Sequence, residues 1–148
     1  MENTPSYNLP IDSGMGYLIV RVSTASGAIP IEGATVTVRD DLSADNGSRG
    51  NIYRVLVSNR DGLTERIALP APRKSIALSP GGGIPYTNYQ IDVVADGYYS
   101  QYFIHVPIYD TITSIQPAPL TPKADTAAPG DIRPGDQTII EQSNPNLQ

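Results

Sequence analysis

Cysteine is absent from the 148 residues, so no disulfide staples the chain, and thiolate chemistry and Cys-ligated metal are closed to it. Tryptophan is absent as well, and Phe103 is the one phenylalanine beside nine tyrosines. Val, Ile and Leu must supply most of any core. His105 is the only histidine, which rules out the two-His ligand sets of many metal enzymes. Ten basic residues stand against fifteen acidic ones, for a net charge of -5. They are scattered, with only Arg73 and Lys74 adjacent, so no basic footprint for nucleic acid or an anionic membrane is present. No apolar run approaches the ~20 residues of a spanning helix. The opening Met1–Tyr7 is polar, without a basic or apolar leader region, so synthesis in the cytoplasm without a signal peptide is expected.

Thirteen glycines and fourteen prolines leave little room for long helices, and no 3.6-residue period stands out. A period of two recurs instead. In Tyr17–Ser23, Leu18, Val20 and Val22 face one way. In Ala34–Arg39, Ala34, Val36 and Val38 are inward and Thr35, Thr37 and Arg39 outward. Ile52–Ser58 reads with Tyr53, Val55 and Val57 inward. Asn59-Arg-Asp-Gly62 and Asp96-Gly97 are turns. Thr64–Leu69, Tyr89–Ala95, Tyr102–Val106 and Thr111–Gln116 complete about seven strands. The expected architecture is an all-β, antiparallel, face-to-face sandwich over residues 15–122. Residues 1–14 read as a flexible arm. Residues 123–148 read as a proline-rich extended tail, in which Gln137, Thr138, Ile139, Ile140 and Glu141 form a short segment suited to strand addition.

Three stretches carry a resemblance: Gly33-Ala-Thr-Val-Thr-Val38, Asn59-Arg-Asp-Gly-Leu-Thr64 and Tyr89-x-Ile-x-Val-x-Ala-Asp-Gly-Tyr98. Together they resemble the carboxypeptidase-regulatory-like domain, which implies a transthyretin-like (prealbumin-like) sandwich. A narrower likeness rests on Leu69-Pro-Ala-Pro72, Pro85-Tyr-x-x-Tyr89, Val106-Pro-Ile-Tyr-Asp110, Ser114-Ile-Gln-Pro117 and Leu120-Thr-Pro122. It looks like the non-catalytic N-terminal module of clostridial spore cortex-lytic enzymes, and so implies a Firmicutes spore or cell-wall setting.

Candidate chemistry is sparse. His105, as a lone histidine, reads as an ordinary residue on the outer face of its strand. Ring-opening dioxygenases of related architecture resemble sandwiches with iron held by two Tyr and two His, a set this chain cannot supply. Hydroxyisourate hydrolases carry several active-site histidines and a C-terminal Tyr-Arg-Gly-Ser, also absent here. Asp41-x-Ser43-x-Asp45-Asn46-Gly47 suggests a calcium loop, but its glycine falls one place late and Ile52 stands where the bidentate Glu belongs, so a turn-rich loop is the simpler reading. Gly81–Gly83 lacks the Lys-Ser/Thr of a phosphate loop. Lys74 and Lys123 sit beside prolines, unsuited to an internal isopeptide bond. Glu65 alternates with Leu63 and Ile67 and points inward on that pattern, or lies at an edge. Exposed aromatic rings at Tyr86, Tyr99, Phe103 and Tyr109 would contact a ligand or partner.

The expectation is a non-enzymatic interaction or accessory module that docks a protein or peptidoglycan partner, without cofactor or metal. Second comes a self-assembling structural subunit using its terminal arm, and third a wall-glycan hydrolase.

Overall fold

Residues 13–41, 49–74, 84–124 and 137–141 are described by a computed structural model. Period-two alternation builds its strands, and tertiary pairing decides how far each one runs. In β1 (Ser13–Thr24), Leu18, Val20 and Val22 are fully buried. In β3 (Thr35–Asp40), Val36 and Val38 point to the same interior. β5 (Ile67–Pro72) buries Ile67, Leu69 and Ala71, and β6 (Tyr86–Val94) buries Tyr89, Ile91 and Val93. These side chains meet face to face in one core with Phe103, Val106 and Ile108 of β7 (Ser100–Tyr109).

Two sheets make the sandwich. One holds β2 (Ile29–Pro30), β1 and β5, with β8 (Thr113–Pro119) on the other side of β1. The second runs in the order β4 (Ile52–Val57), β3, β6, β7, β9 (Gln137–Glu141). β8 lies parallel to β1 and β9 parallel to β7, and every other pairing is antiparallel. The protein is an all-β sandwich, as its alternation implies. Among the described residues no helix is long and apolar enough to cross a membrane.

Several details depart from the sequence reading. Val55 and Val57 pair with Thr37 and Thr35 and share their outward face, so Leu56, not its neighbours, enters the core. A register shift between Val38 and Arg39 turns the Tyr53 ring edge-on to Tyr89, with centroids 5.7 Å apart. Glu65 is exposed and pairs with Arg54 at 3.0 Å. β8 continues through Pro117 to Pro119, tolerated because it pairs only with β1, an edge where a missing N–H breaks no second ladder. Ser13 and Gly14, assigned to a flexible arm, already pair with Pro72 and Ala71. Residues 42–48 of the calcium-like loop and Gly81–Gly83 lie outside the described residues.

Turn chemistry fixes the Asn59–Gly62 corner. Asn59 Oδ1 accepts from the backbone N–H of Asp61 at 2.8 Å and of Leu63 at 3.0 Å. Gly62 has φ +79°, and a Cβ there would collide with the Val22 carbonyl, so only glycine fits.

Candidate functional site

Outward positions on β3, β6 and β7 would be plain solvent-facing residues in a simple sandwich. Here Gln90, Asp92 and Tyr102 are buried. Sheet order sets them side by side, with Arg39 opposite Gln90 and Tyr102 opposite Asp92. The two ends of the β3–β4 connection, Asp41 and Arg49–Gly50, bond onto the same face.

The network is continuous. Asp92 Oδ2 accepts from Arg39 Nε at 3.2 Å and Arg49 Nη1 at 3.0 Å. Arg39 Nη1 also donates to the Gly50 carbonyl at 3.0 Å. The Arg49 guanidinium lies over the Tyr102 ring, 4.5 Å from its centroid, a cation–π contact that leaves part of the cation in water. The Tyr102 hydroxyl donates to Gln90 Oε1 at 2.5 Å, which also takes the Gly50 N–H at 3.0 Å. Gln90 Nε2 donates in turn to Asp41 Oδ1 at 2.8 Å. Asp92 Oδ1 is buried with no hydrogen-bond partner. Burial, then the charge of Asp92, pushes the Tyr102 phenol above its ordinary value against the opposing pull of Arg49, so its proton is held.

His105 ends this chain of contacts. The pairing of β6 with β7 shifts register between Tyr89 and Ile91, leaving Ile104 and His105 as a bulge across from Gln90. His105 has φ +58°, the left-handed region that disfavours any residue with a Cβ. This twist aims its backbone N–H at Asp41 Oδ2, at 2.9 Å, and brings imidazole Nε2 to 3.8 Å from the same oxygen. The Asp41 side chain is 2% exposed and the His105 side chain 25%. One acid is thus held from two sides by protein donors, with an imidazole beside it that reaches solvent. Bulges of this kind re-aim side chains, and strained non-glycine backbone clusters at functional sites.

Sequence reasoning missed every member of this cluster, treating His105 as an ordinary surface residue and Asp41 as part of a turn. The sequence carries no signal for it: Ile104 and Val106 alternate normally around His105, and the bulge shows only in the burial of both Phe103 and Val106, three residues apart. The aromatic candidates do not gather. Phe103 is 1% exposed and belongs to the core, so it offers no ring to a partner. Tyr86 and Tyr109 tilt against each other at 5.5 Å, and Tyr99 lies 5.9 Å from Lys123 Nζ. Gln137–Glu141 forms β9 along β7 of its own sheet. An open cleft of about 610 Å³ lies at the far end of β3 and β6, lined by Glu32, Thr35, Val94, Asp96 and Tyr98, and holds none of the network residues.

No family model and no curated protein matches the chain. Solved structures do. Catechol 1,2-dioxygenase from Acinetobacter sp. ADP1, inhibited by bound mercury, aligns at TM-score 0.52 and 13% identity, over 93% of this chain and 61% of that one. The wild-type Acinetobacter radioresistens enzyme aligns at TM-score 0.44 and 16% identity, over 84% and 58%. Chlorocatechol 1,2-dioxygenase from Pseudomonas putida aligns at 0.38 and 12%, over 90% and 60%. The chain thus spans about three-fifths of the length of these relatives. At this identity the likeness is one of fold. It replaces the resemblance to carboxypeptidase-regulatory-like and spore cortex-lytic modules, which nothing here supports, and with it the non-catalytic accessory reading, the self-assembling subunit and the wall hydrolase. The solved chain that shares this fold at TM-score 0.52 is an enzyme, so the expectation of a non-enzyme, which rested on the discarded resemblance, loses its support.

Iron held by two Tyr and two His, as in ring-opening dioxygenases, does not fit these residues. His105 is the only histidine. The Tyr102 and Tyr89 hydroxyls are spent as donors, to Gln90 and to the Pro70 carbonyl. Among the described residues no group of three or more His, Cys, Asp or Glu stands ready for a metal.

Proposed function

We propose that the protein is an enzyme that moves a proton at the His105 imidazole, with Asp41 as the group that orients it. The carrying observation is the bulge itself: His105 holds a left-handed backbone that directs both its N–H and its Nε2 at one buried carboxylate oxygen. Ala25, Ser26 and Thr111 share the left-handed backbone; what supports the reading at His105 is that its conformation serves a buried carboxylate. The partly exposed imidazole is open to a small polar substrate, and Arg49 places a half-exposed cation on the same face. Ring cleavage of catechol, the activity of the neighbours, does not transfer, because the iron set is missing.

In such a site, with Nε2–H turned to Asp41, Nδ1 accepts a proton from water as the water oxygen bonds to an acyl carbon, and returns it to the leaving group as the tetrahedral adduct collapses. A generic activated ester, p-nitrophenyl acetate, therefore serves as the first probe. The full chain should hydrolyse it well above the rate of free imidazole at equal concentration. His105→Gln should lose on the order of 100-fold, the lower range for a positioned base. Asp41→Asn should lower kcat with little change in KM. A wild-type rate no higher than that of free imidazole, or one that His105→Gln leaves intact, overturns the proposal.

A further inference from the structure

Among the described residues β4 ends its sheet, paired with β3 alone. The Ser58 N–H donates to the Ala34 carbonyl at 3.0 Å, which fixes the parity of the ladder: even positions of β4 bond toward β3. Val55 and Val57 therefore turn their N–H and C=O groups away from the sheet. Their side chains are 56% and 62% exposed and lie in a band with Thr37, Thr35 and Val94, which is 49% exposed. Chains that stay single blunt such an edge with charged side chains, proline or a bulge. Of these Arg54–Val57 has only the Arg54 charge, already paired with Glu65; the register shift falls beyond it, between Val38 and Arg39.

We propose that β4 is the contact edge of a two-fold dimer, in which it pairs antiparallel with β4 of a second copy about an axis through Val55. The inference is independent of the acid–base reading and uses neither chain terminus. Two observations select a second copy as the occupant. The first is register: a two-fold axis at Val55 sets outward backbone groups against outward backbone groups, and valine against valine. The second is charge. A groove of about 440 Å³ runs beside the edge, bounded by Arg54, Leu56, Val57, Leu63 and Glu65. In it Glu65, 67% exposed, meets Arg54 through Oε2 alone, at 3.0 Å. Pairing about Val55 brings Arg54 of the second copy opposite Leu56, on the groove side, where the Glu65 carboxylate has an oxygen left to receive it. The closed interface then alternates two guanidiniums with two carboxylates.

The absence of cysteine makes the register directly testable. Across an antiparallel hydrogen-bonded pair the Cα atoms stand ~5.5 Å apart, inside the ~4.4–6.8 Å range of a disulfide. Full-length Val55→Cys should therefore cross-link to a covalent dimer under mild oxidation, while Val94→Cys, of similar exposure but off the axis, should not. Light scattering of the unmodified chain should show a dimer populated between roughly 1 μM and 1 mM, and Val55→Lys should shift it to monomer with an unchanged circular dichroism spectrum. Monomer throughout that range overturns the proposal, as does a Val55→Cys chain that cross-links no faster than Val94→Cys. Should Val55→Lys fail to fold, the two cysteine variants still decide.

Discussion

His105 combines an unfavourable backbone with a favourable contact, and substitutions separate the two. A Cβ in the left-handed region costs about 1–2 kcal/mol, and a β-branched side chain fares worst. His105→Gly relieves that strain while adding chain entropy to the unfolded state. Its stability in urea should fall within about 1 kcal/mol of the parent, whereas His105→Val should lose about 2 kcal/mol or more. Equal losses for both would mean that the backbone is not strained there. Little of this residue's role was legible in the sequence. A lone histidine between Ile104 and Val106 alternates outward on paper, and only the burial of both Phe103 and Val106 reveals the bulge. Asp41, set in a run of turn-forming residues, carries no mark of the contact it makes with a strand 64 residues later.

Among the elements, β1, β3 and β6 follow their alternation because both neighbours and the opposite sheet demand it, and β5, although an end strand, follows its own because Ile67, Leu69 and Ala71 fill the core. β4 is held from one side only, and most of its apolar residues do not face the core. The prolines of β8 mislead for the same reason. β6 also carries a titration that reports on the closed sandwich. The Tyr89 hydroxyl donates to the Pro70 carbonyl at 2.5 Å, tying the two sheets, and burial first, then Tyr53 and Asp40, raises its pKa. The unfolded chain releases this proton near the ordinary value of 10.0, and the folded chain keeps it. Above that pH the folded state binds more protons than the unfolded one, so stability falls as pH rises; below it the contribution is complete and constant. Tyr102, raised in the same direction, adds to the slope. Denaturant midpoints should therefore decline steeply above about pH 10, and more gently in Tyr89→Phe, which should also lose about 1 kcal/mol near neutrality with the hydrogen bond. Parallel slopes for the two proteins would contradict the assignment.

For the molecule as a whole, the sandwich was legible because period two and turn chemistry are local, while the site was not because it depends on sheet order. Arg39, Gln90 and Asp92 sit on two strands, and each looks like an ordinary outward polar position until β3 and β6 lie side by side, with Tyr102 of β7 beside them. Short motifs such as Gly-Ala-x-Val and Asp-Gly misdirect for a related reason: they encode strands and turns that any antiparallel sandwich needs, not a line of descent. Function follows from the site and not from the fold. The most direct measurement is chemical rescue. His105→Gly keeps the conformation of the bulge and leaves a space shaped for the missing ring. With p-nitrophenyl acetate, added imidazole should restore turnover in this variant, saturating with imidazole concentration above the uncatalysed background. A response that stays linear, equal to imidazole without protein, would contradict the claim that proton transfer takes place at position 105.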